Sequence, residues 1–134
     1  MKLNIRKLTK KDLQIAKKWW EKWPDWVAPA DDFLPETGVV VESNSKPVAI
    51  GFIYLTNAKV CLLEWIISDP EYRENDRQTL IELLITGAEN MVKELGYKYM
   101  FSVCKHKKLI ATHKKLKWHV DKKPSYELTK ILNK

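Results

Sequence analysis

Trp65-Ile66-Ile67-Ser68-Asp69-Pro70-Glu71-Tyr72-Arg73 is the stretch that decides the fold. An apolar run that reads as a strand stops at Asp69-Pro70, because proline has no amide hydrogen to give a ladder and biases its predecessor away from helical angles. Upstream, residues 38–42 and 48–55 read as two strands joined by the turn residues Ser43-Asn44-Ser45-Lys46, and Thr56-Asn57 turns the chain into a third strand at 60–68. Downstream, Leu80, Leu84, Ala88, Met91 and Leu95, with Ile81, Ile85 and Val92 beside them, form one broad stripe that predicts a helix over 76–95, closed by Gly96.

Further out, Leu3 and Ile5 suggest a first strand over 2–8. Thr9-Lys10-Lys11-Asp12 is a variant capping box that opens a helix carrying Leu13, Ala16, Trp20 and Trp23 and ending at Pro24. Residues 25–36 are irregular and read as a loop or short helix. Residues 97–103 read as a strand, 105–116 as a basic helix, and 118–120 with 126–131 as a closing hairpin. The order β α β β β α β α β β describes an α/β (α+β) domain with a mixed, mostly antiparallel sheet of six to seven strands.

A chain of 134 residues, 45% hydrophobic, fits a single domain over 1–134. No apolar run approaches the roughly 18 residues that cross a bilayer, and the N-terminus lacks the apolar stretch of a signal peptide, so a cytoplasmic protein with no membrane partner is expected. Cys61 and Cys104 read as small buried hydrophobes, and no ligand spacing for a metal is visible. The net charge of +7 is unevenly placed: residues 98–134 hold 11 Lys against Asp121 and Glu127, while residues 1–97 hold 13 basic and 15 acidic side chains. Such a positive field favours a phosphorylated small molecule, nucleic acid or an acidic protein.

The antiparallel meander, the Asp-Pro turn, the long helix and the following Leu95-Gly96-Tyr97-Lys98-Tyr99-Met100-Phe101 together resemble the GNAT superfamily of N-acetyltransferases, over nearly the whole chain. Ile110 to Trp118 resembles the family's last-helix segment that usually ends Tyr-Glu-Lys-Leu-Gly-Phe. The resemblance implies an acyltransferase that moves an acetyl group from acetyl-CoA, its co-substrate, to a primary amine without a metal. The family's loop reads Arg/Gln-x-x-Gly-x-Gly/Ala, so that backbone N–H groups at a helix start approach a pyrophosphate. Here the window is Arg73-Glu74-Asn75-Asp76-Arg77-Gln78: both glycine positions are replaced, Asp76 competes with phosphate as a helix cap and repels it, and Arg73 and Arg77 can offer guanidinium groups instead.

By the same resemblance Ile66, Ile67 and Ser68 lie along the pantetheine arm through their main chain, and Asn75, Asp76, Gln78, Thr79 and His106 join the cofactor-binding set. Glu64, acidic within an apolar run and in period-two register with Leu62 and Ile66, can take the proton of a substrate ammonium, or can simply be a polar residue on an open sheet face. His113 stands where the family has its Tyr acid; imidazole, with a pKa of about 6.5 against about 10 for phenol, exchanges protons near neutrality, although a His among lysines also suits a surface. Trp20, Trp23, Asp31, Asp32 and Phe33 are the acceptor-side candidates, since aromatic rings beside carboxylates suit a cationic amine, whereas tryptophans also serve as core. The acceptor is then a small-molecule or protein amine and the chain a monomer or homodimer. The alternative is a catalytically inactive binding module of the same fold, its basic C-terminal face contacting an acidic protein or, less favoured, nucleic acid.

Overall fold

A computed structural model describes residues 3–72 and 75–133 in two compact units, Met1–Ser102 and Val103–Lys134. The Lys2 end of the expected first strand and Arg73 of the loop lie outside the described residues.

The first unit is one five-stranded sheet in the order β1 (Leu3–Lys7), β2 (Gly38–Ser43), β3 (Lys46–Leu55), β4 (Val60–Ser68), β5 (Tyr99–Phe101). The first four strands are antiparallel neighbours, and β5 joins β4 in parallel after the helix α2 (Arg77–Glu94). A parallel pair needs a crossover, and the Asp69-Pro70 stop followed by the long apolar stripe supplies it. Asn44 and Ser45, at φ 52° and 68°, make the tight turn between β2 and β3.

Two helices cover opposite faces. The helix α1 (Lys10–Lys22) lays Ala16, Trp19 and Trp20 on Val40, Ile50, Phe52 and Ile67. On the other face α2 packs so close that a Cβ on Gly51 would meet Leu84 Cδ2 at 2.8 Å. The start of α1 is tied down by Asp12, 1% exposed, whose carboxylate accepts from Thr9 N (2.7 Å), Thr9 Oγ1 (2.9 Å) and both terminal nitrogens of Arg6 (2.8 and 2.9 Å). The end of α2 is a Schellman cap: Tyr97 N donates to Val92 O and Gly96 N to Lys93 O, with Gly96 at φ 96°, the left-handed region that glycine enters without steric cost. The irregular 25–36 stretch contains a 3₁₀ turn at Asp31–Phe33.

The second unit holds the helix α3 (Lys107–Lys115). It ends in the same cap, Trp118 N to His113 O and Lys117 N to Lys114 O, with Lys117 at φ 73° where α2 has glycine.

Two expectations are corrected. The sheet has five strands among the described residues, fewer than six to seven, because residues 118–120 and 126–131 run as coil and form no hairpin. Their connection, Asp121-Lys122-Lys123-Pro124-Ser125, has no glycine or asparagine, the residues that enter φ > 0 most readily, and has a proline that cannot donate. Tyr126, Leu128, Ile131 and Leu132 are instead exposed. The strand expected over 97–103 is only Tyr99–Phe101, since β4 offers parallel partners at Val60, Cys61 and Leu62 alone.

Candidate functional site

The site is organised by an irregularity in β4. Phe52 pairs with Glu64 and Ile50 with Ile67, so Gly51 alone faces both Trp65 and Ile66: a β-bulge, with Trp65 at φ 56°. The extra residue resets the alternation. Glu64 and Trp65 both lie on the α1 face, Ile66 points to the α2 face beside Gly51, and Ile67 returns to the α1 core. The expected period-two register of Glu64 therefore holds with Leu62 and fails with Ile66.

The bulge also frees one edge of the strand. Pairing with β5 ends at Leu62, so β4 runs on from Leu63 to Ser68 without it. Asp69 N donates to Val48 O, so residues 67 and 69 turn their main-chain groups toward β3, and Ile66 and Ser68 turn theirs outward. Of the three residues expected along an extended ligand, Ile66 and Ser68 thus present main chain to that side and Ile67 does not. The Ser68 carbonyl is already taken, by Trp23 Nε1 at 2.9 Å.

Around the bulge the side chains form an aromatic cluster. Trp65 meets Trp20 and Phe33 edge-on, at centroid distances of 6.3 and 5.9 Å, and Trp20 stacks on Phe52 at 6.1 Å. Trp65 Nε1 donates to the Tyr54 hydroxyl (2.9 Å), which donates to the Phe33 carbonyl (2.7 Å), fastening the 3₁₀ turn to the bulge. Burial pushes the Tyr54 hydroxyl pKa up, the bond from Trp65 opposes that, and the Glu64 charge adds to it. Trp20 is core, 1% exposed, and its Nε1 is buried with no hydrogen-bond partner among the described residues. Phe33 is half exposed, Asp31 pairs with Lys17 at 3.0 Å, and Asp32 is exposed.

The exit of β4 is built differently. Asp69 Oδ1 accepts Glu71 N at 2.9 Å and Asp69 O accepts Tyr72 N at 3.2 Å, forming the turn the Asp-Pro pair predicts. Arg77 folds back over it, donating to Ser68 Oγ (2.5 Å), Asp69 O (3.1 Å) and Tyr72 O (2.8 Å), with its guanidinium carbon 5.8 Å from the Trp23 ring and 5.9 Å from that of Tyr72. The Tyr72 hydroxyl donates to Asp76 Oδ1 at 2.6 Å. The Asp76 side chain makes no capping bond to α2, contrary to the expectation that it caps, because Tyr72 one helical turn away holds it. Gln78 bonds Glu82 at 3.1 Å; Asn75 and Thr79 are exposed.

In the second unit His113 is buried, 5% exposed, rather than a surface residue. Its Nδ1 donates to Leu109 O at 2.8 Å, since a carbonyl can only accept, and this leaves Nε2 a buried lone pair with no partner among the described residues; the ring meets Trp118 edge-on at 4.7 Å. His106 is exposed at the start of α3, where its carbonyl accepts Ile110 N. Among the described residues no group of three His, Cys, Asp or Glu could hold a metal ion, and no helix is long and apolar enough to cross a membrane.

Tyr54, Trp65 and Tyr72 were not among the residues singled out from sequence. A bulge without glycine leaves no mark in a single sequence, whereas the four-residue spacing of Tyr72 and Asp76 was a legible signal.

The chain has the fold of the GNAT acetyltransferases, by its likeness to solved structures. The ribosomal-protein-S18-alanine N-acetyltransferase of Escherichia coli superposes with a TM-score of 0.71 at 19% identity, over 86% of this chain and 76% of that one. An aminoglycoside acetyltransferase from an uncultured soil metagenomic sample, in complex with trehalose, gives 0.69 at 15% over 96% of each chain. AAC(6')-Iy, in complex with a CoA-containing bisubstrate analogue, gives 0.67 at 15% over 98% of this chain and all of that one. No family model and no curated protein matches the chain.

Proposed function

We propose that the chain is an N-acetyltransferase that passes an acetyl group from a CoA-type thioester to a primary amine. The observation that carries this reading is the outward-facing edge of β4 at Ile66, next to the bulge and beyond the end of β5. The two amides of a pantetheine arm can pair with such an edge as an added strand does, and the Ile66 N–H is a main-chain donor for the oxygen that gains charge when the thioester carbonyl is attacked. These features fit the thioester end of the donor.

In this reading Glu64, on the α1 face of β4 beside the bulge, takes the ammonium proton and releases a neutral amine. The amine nitrogen bonds to the carbonyl carbon, the carbon–sulfur bond breaks, and the thiolate takes up a proton. Phe33 and Asp32 supply an apolar and an anionic contact for the acceptor.

The test is release of free thiol from acetyl-CoA in the presence of a panel of amines: polyamines, aminoglycosides and peptide N-termini. Amine-dependent thiol release with a matching acetylated product supports the proposal. Full-length folded protein that releases no thiol above the uncatalysed rate with any of these amines overturns it.

A further inference from the structure

We infer, resting on the acetyltransfer reading above, that Trp65 is a positioning residue. It links the acceptor-side turn at Asp31–Phe33 to the Ile66 N–H, so that an amine whose apolar body bears on Phe33 gains in turnover and not only in affinity. The Ile66 N–H lies in the planar peptide unit that follows Trp65, and its direction is therefore set by the Trp65 backbone angles. Those angles are unusual. Trp65 stands at φ 56°, in a region that a bulky side chain occupies only when its surroundings hold it there.

The hold acts through the side chain. The Trp65 ring meets Trp20 and Phe33 edge-on, and its Nε1 donates to the Tyr54 hydroxyl at 2.9 Å. That hydroxyl donates onward to the Phe33 carbonyl at 2.7 Å. Both directions are fixed, because an indole N–H can only donate and a carbonyl can only accept, which leaves the hydroxyl to do one of each. Burial, joined by the Glu64 charge and opposed by the Trp65 bond, raises the Tyr54 hydroxyl pKa and keeps that proton on the relay. Phe33 is thus tied to Trp65 twice, ring to ring and through Tyr54, while its own ring remains 47% exposed. Trp20 is a core wall, whereas Phe33 belongs to a three-residue turn whose two carboxylates face solvent. An amine that packs on Phe33 therefore presses on the indole that aims the Ile66 N–H. Binding energy gained away from the reacting atoms is used to hold the oxyanion donor in line as charge develops. An amine too small to reach Phe33 gains nothing from the relay.

Steady-state transfer from acetyl-CoA to 2-phenylethylamine, which has an apolar body, and to ethylamine, which lacks one, tests the coupling. Removing an oxyanion donor costs about a hundredfold or more in kcat and misaiming it costs part of that, so kcat for 2-phenylethylamine should exceed that for ethylamine by about tenfold in the parent chain. Tyr54→Phe, which keeps the ring and deletes the hydroxyl, should bring the two kcat values together. Trp65→Phe, which keeps a ring and deletes the N–H, should do the same, and the double variant should be no worse than either single one, because both break one relay. A purely structural role would lower the melting temperature and slow both amines alike. Equal kcat for the two amines in the parent, turnover of other amines but not 2-phenylethylamine, or a difference that survives Tyr54→Phe overturns this inference and leaves acetyltransfer intact. A folded parent that releases no thiol with any amine removes the acetyltransfer reading and this inference with it.

Discussion

The two ends of the exposed stretch of β4 make opposite use of similar chemistry. At the bulge, Trp65, Trp20, Phe33 and Phe52 surround a strand edge whose main-chain groups are left open at Ile66, and the carboxylate of Glu64 sits on the same face. Two residues beyond Ile66, Ser68, Asp69, Glu71, Tyr72, Asp76 and Arg77 close on each other through five side-chain hydrogen bonds, and Arg77 also meets the Trp23 and Tyr72 rings. A site for a reagent keeps groups unspent, and a structural joint spends them. One strand does both because the bulge turns alternate residues outward before the Asp-Pro turn folds the chain back.

The helix α1 touches both ends, through Trp20 at the bulge and Trp23 at Ser68, so loosening it should erase the contrast. Asp12→Asn removes the charge from a buried carboxylate paired with Arg6 and is expected to cost about 3 kcal/mol at pH 7, read by urea denaturation. Burial alone would raise the Asp12 pKa, but the Arg6 and Thr9 hydrogen bonds and the Arg6 charge together bring it below 3.8. A depressed carboxyl stabilises the fold above its unfolded pKa and loses that contribution as pH falls through the folded one. The gap between Asp12→Asn and the parent should therefore be full near neutrality and shrink below about pH 4. A gap that does not change with pH would show that the charge is not what holds α1.

Glu64→Gln acts on the bulge end only. A general base contributes about a hundredfold or more, so kcat/KM should fall by at least about 100-fold, near 2.7 kcal/mol, with thermal stability little changed. Unchanged turnover would return Glu64 to the role of an ordinary polar residue. Arg77→Ala acts on the exit only and should lower stability by about 2 kcal/mol, the range for hydrogen bonds to a charged group. Arg77→Lys should lie closer to the Ala variant than to the parent, because a single ammonium cannot span three acceptors in a fixed plane. Full rescue by Lys would mean that charge, not geometry, closes the joint.

The smallest effect belongs to Trp20→Phe. It loses packing against Phe52 and Trp65 but also deletes a buried indole N–H that has no partner among the described residues, and the two nearly offset, for a change under about 1 kcal/mol in thermal or chemical denaturation. A loss of several kcal/mol would show that the N–H is satisfied in solution.

The covering elements were legible along the chain because each is written in local chemistry. The capping box before α1, the apolar stripe and Gly96 of α2, the turn residues between β2 and β3 and the Asp-Pro stop after β4 are read from neighbours within about five positions, where side-chain direction follows backbone period. The closing hairpin failed by the same logic, since alternation alone does not make a strand without a partner edge and a turn that can form. Glu64, Asp76 and Arg77 were recognisable as chemistry-bearing residues, but their orientation was not. A one-residue bulge at Trp65 decides which main-chain groups face outward, and the Tyr72 hydroxyl decides that Asp76 does not cap.

The sequence by itself therefore determined the order of elements as far as α3, the class of fold and the absence of glycine from 73–78, because propensity, period and breaker residues act locally. Only the tertiary structure decided that Arg77 turns inward, that His113 is buried with Nε2 bare and that Ile66 presents the open edge. Each of those depends on which distant group competes for the same hydrogen bond or the same space, and that competition exists only once the chain is folded.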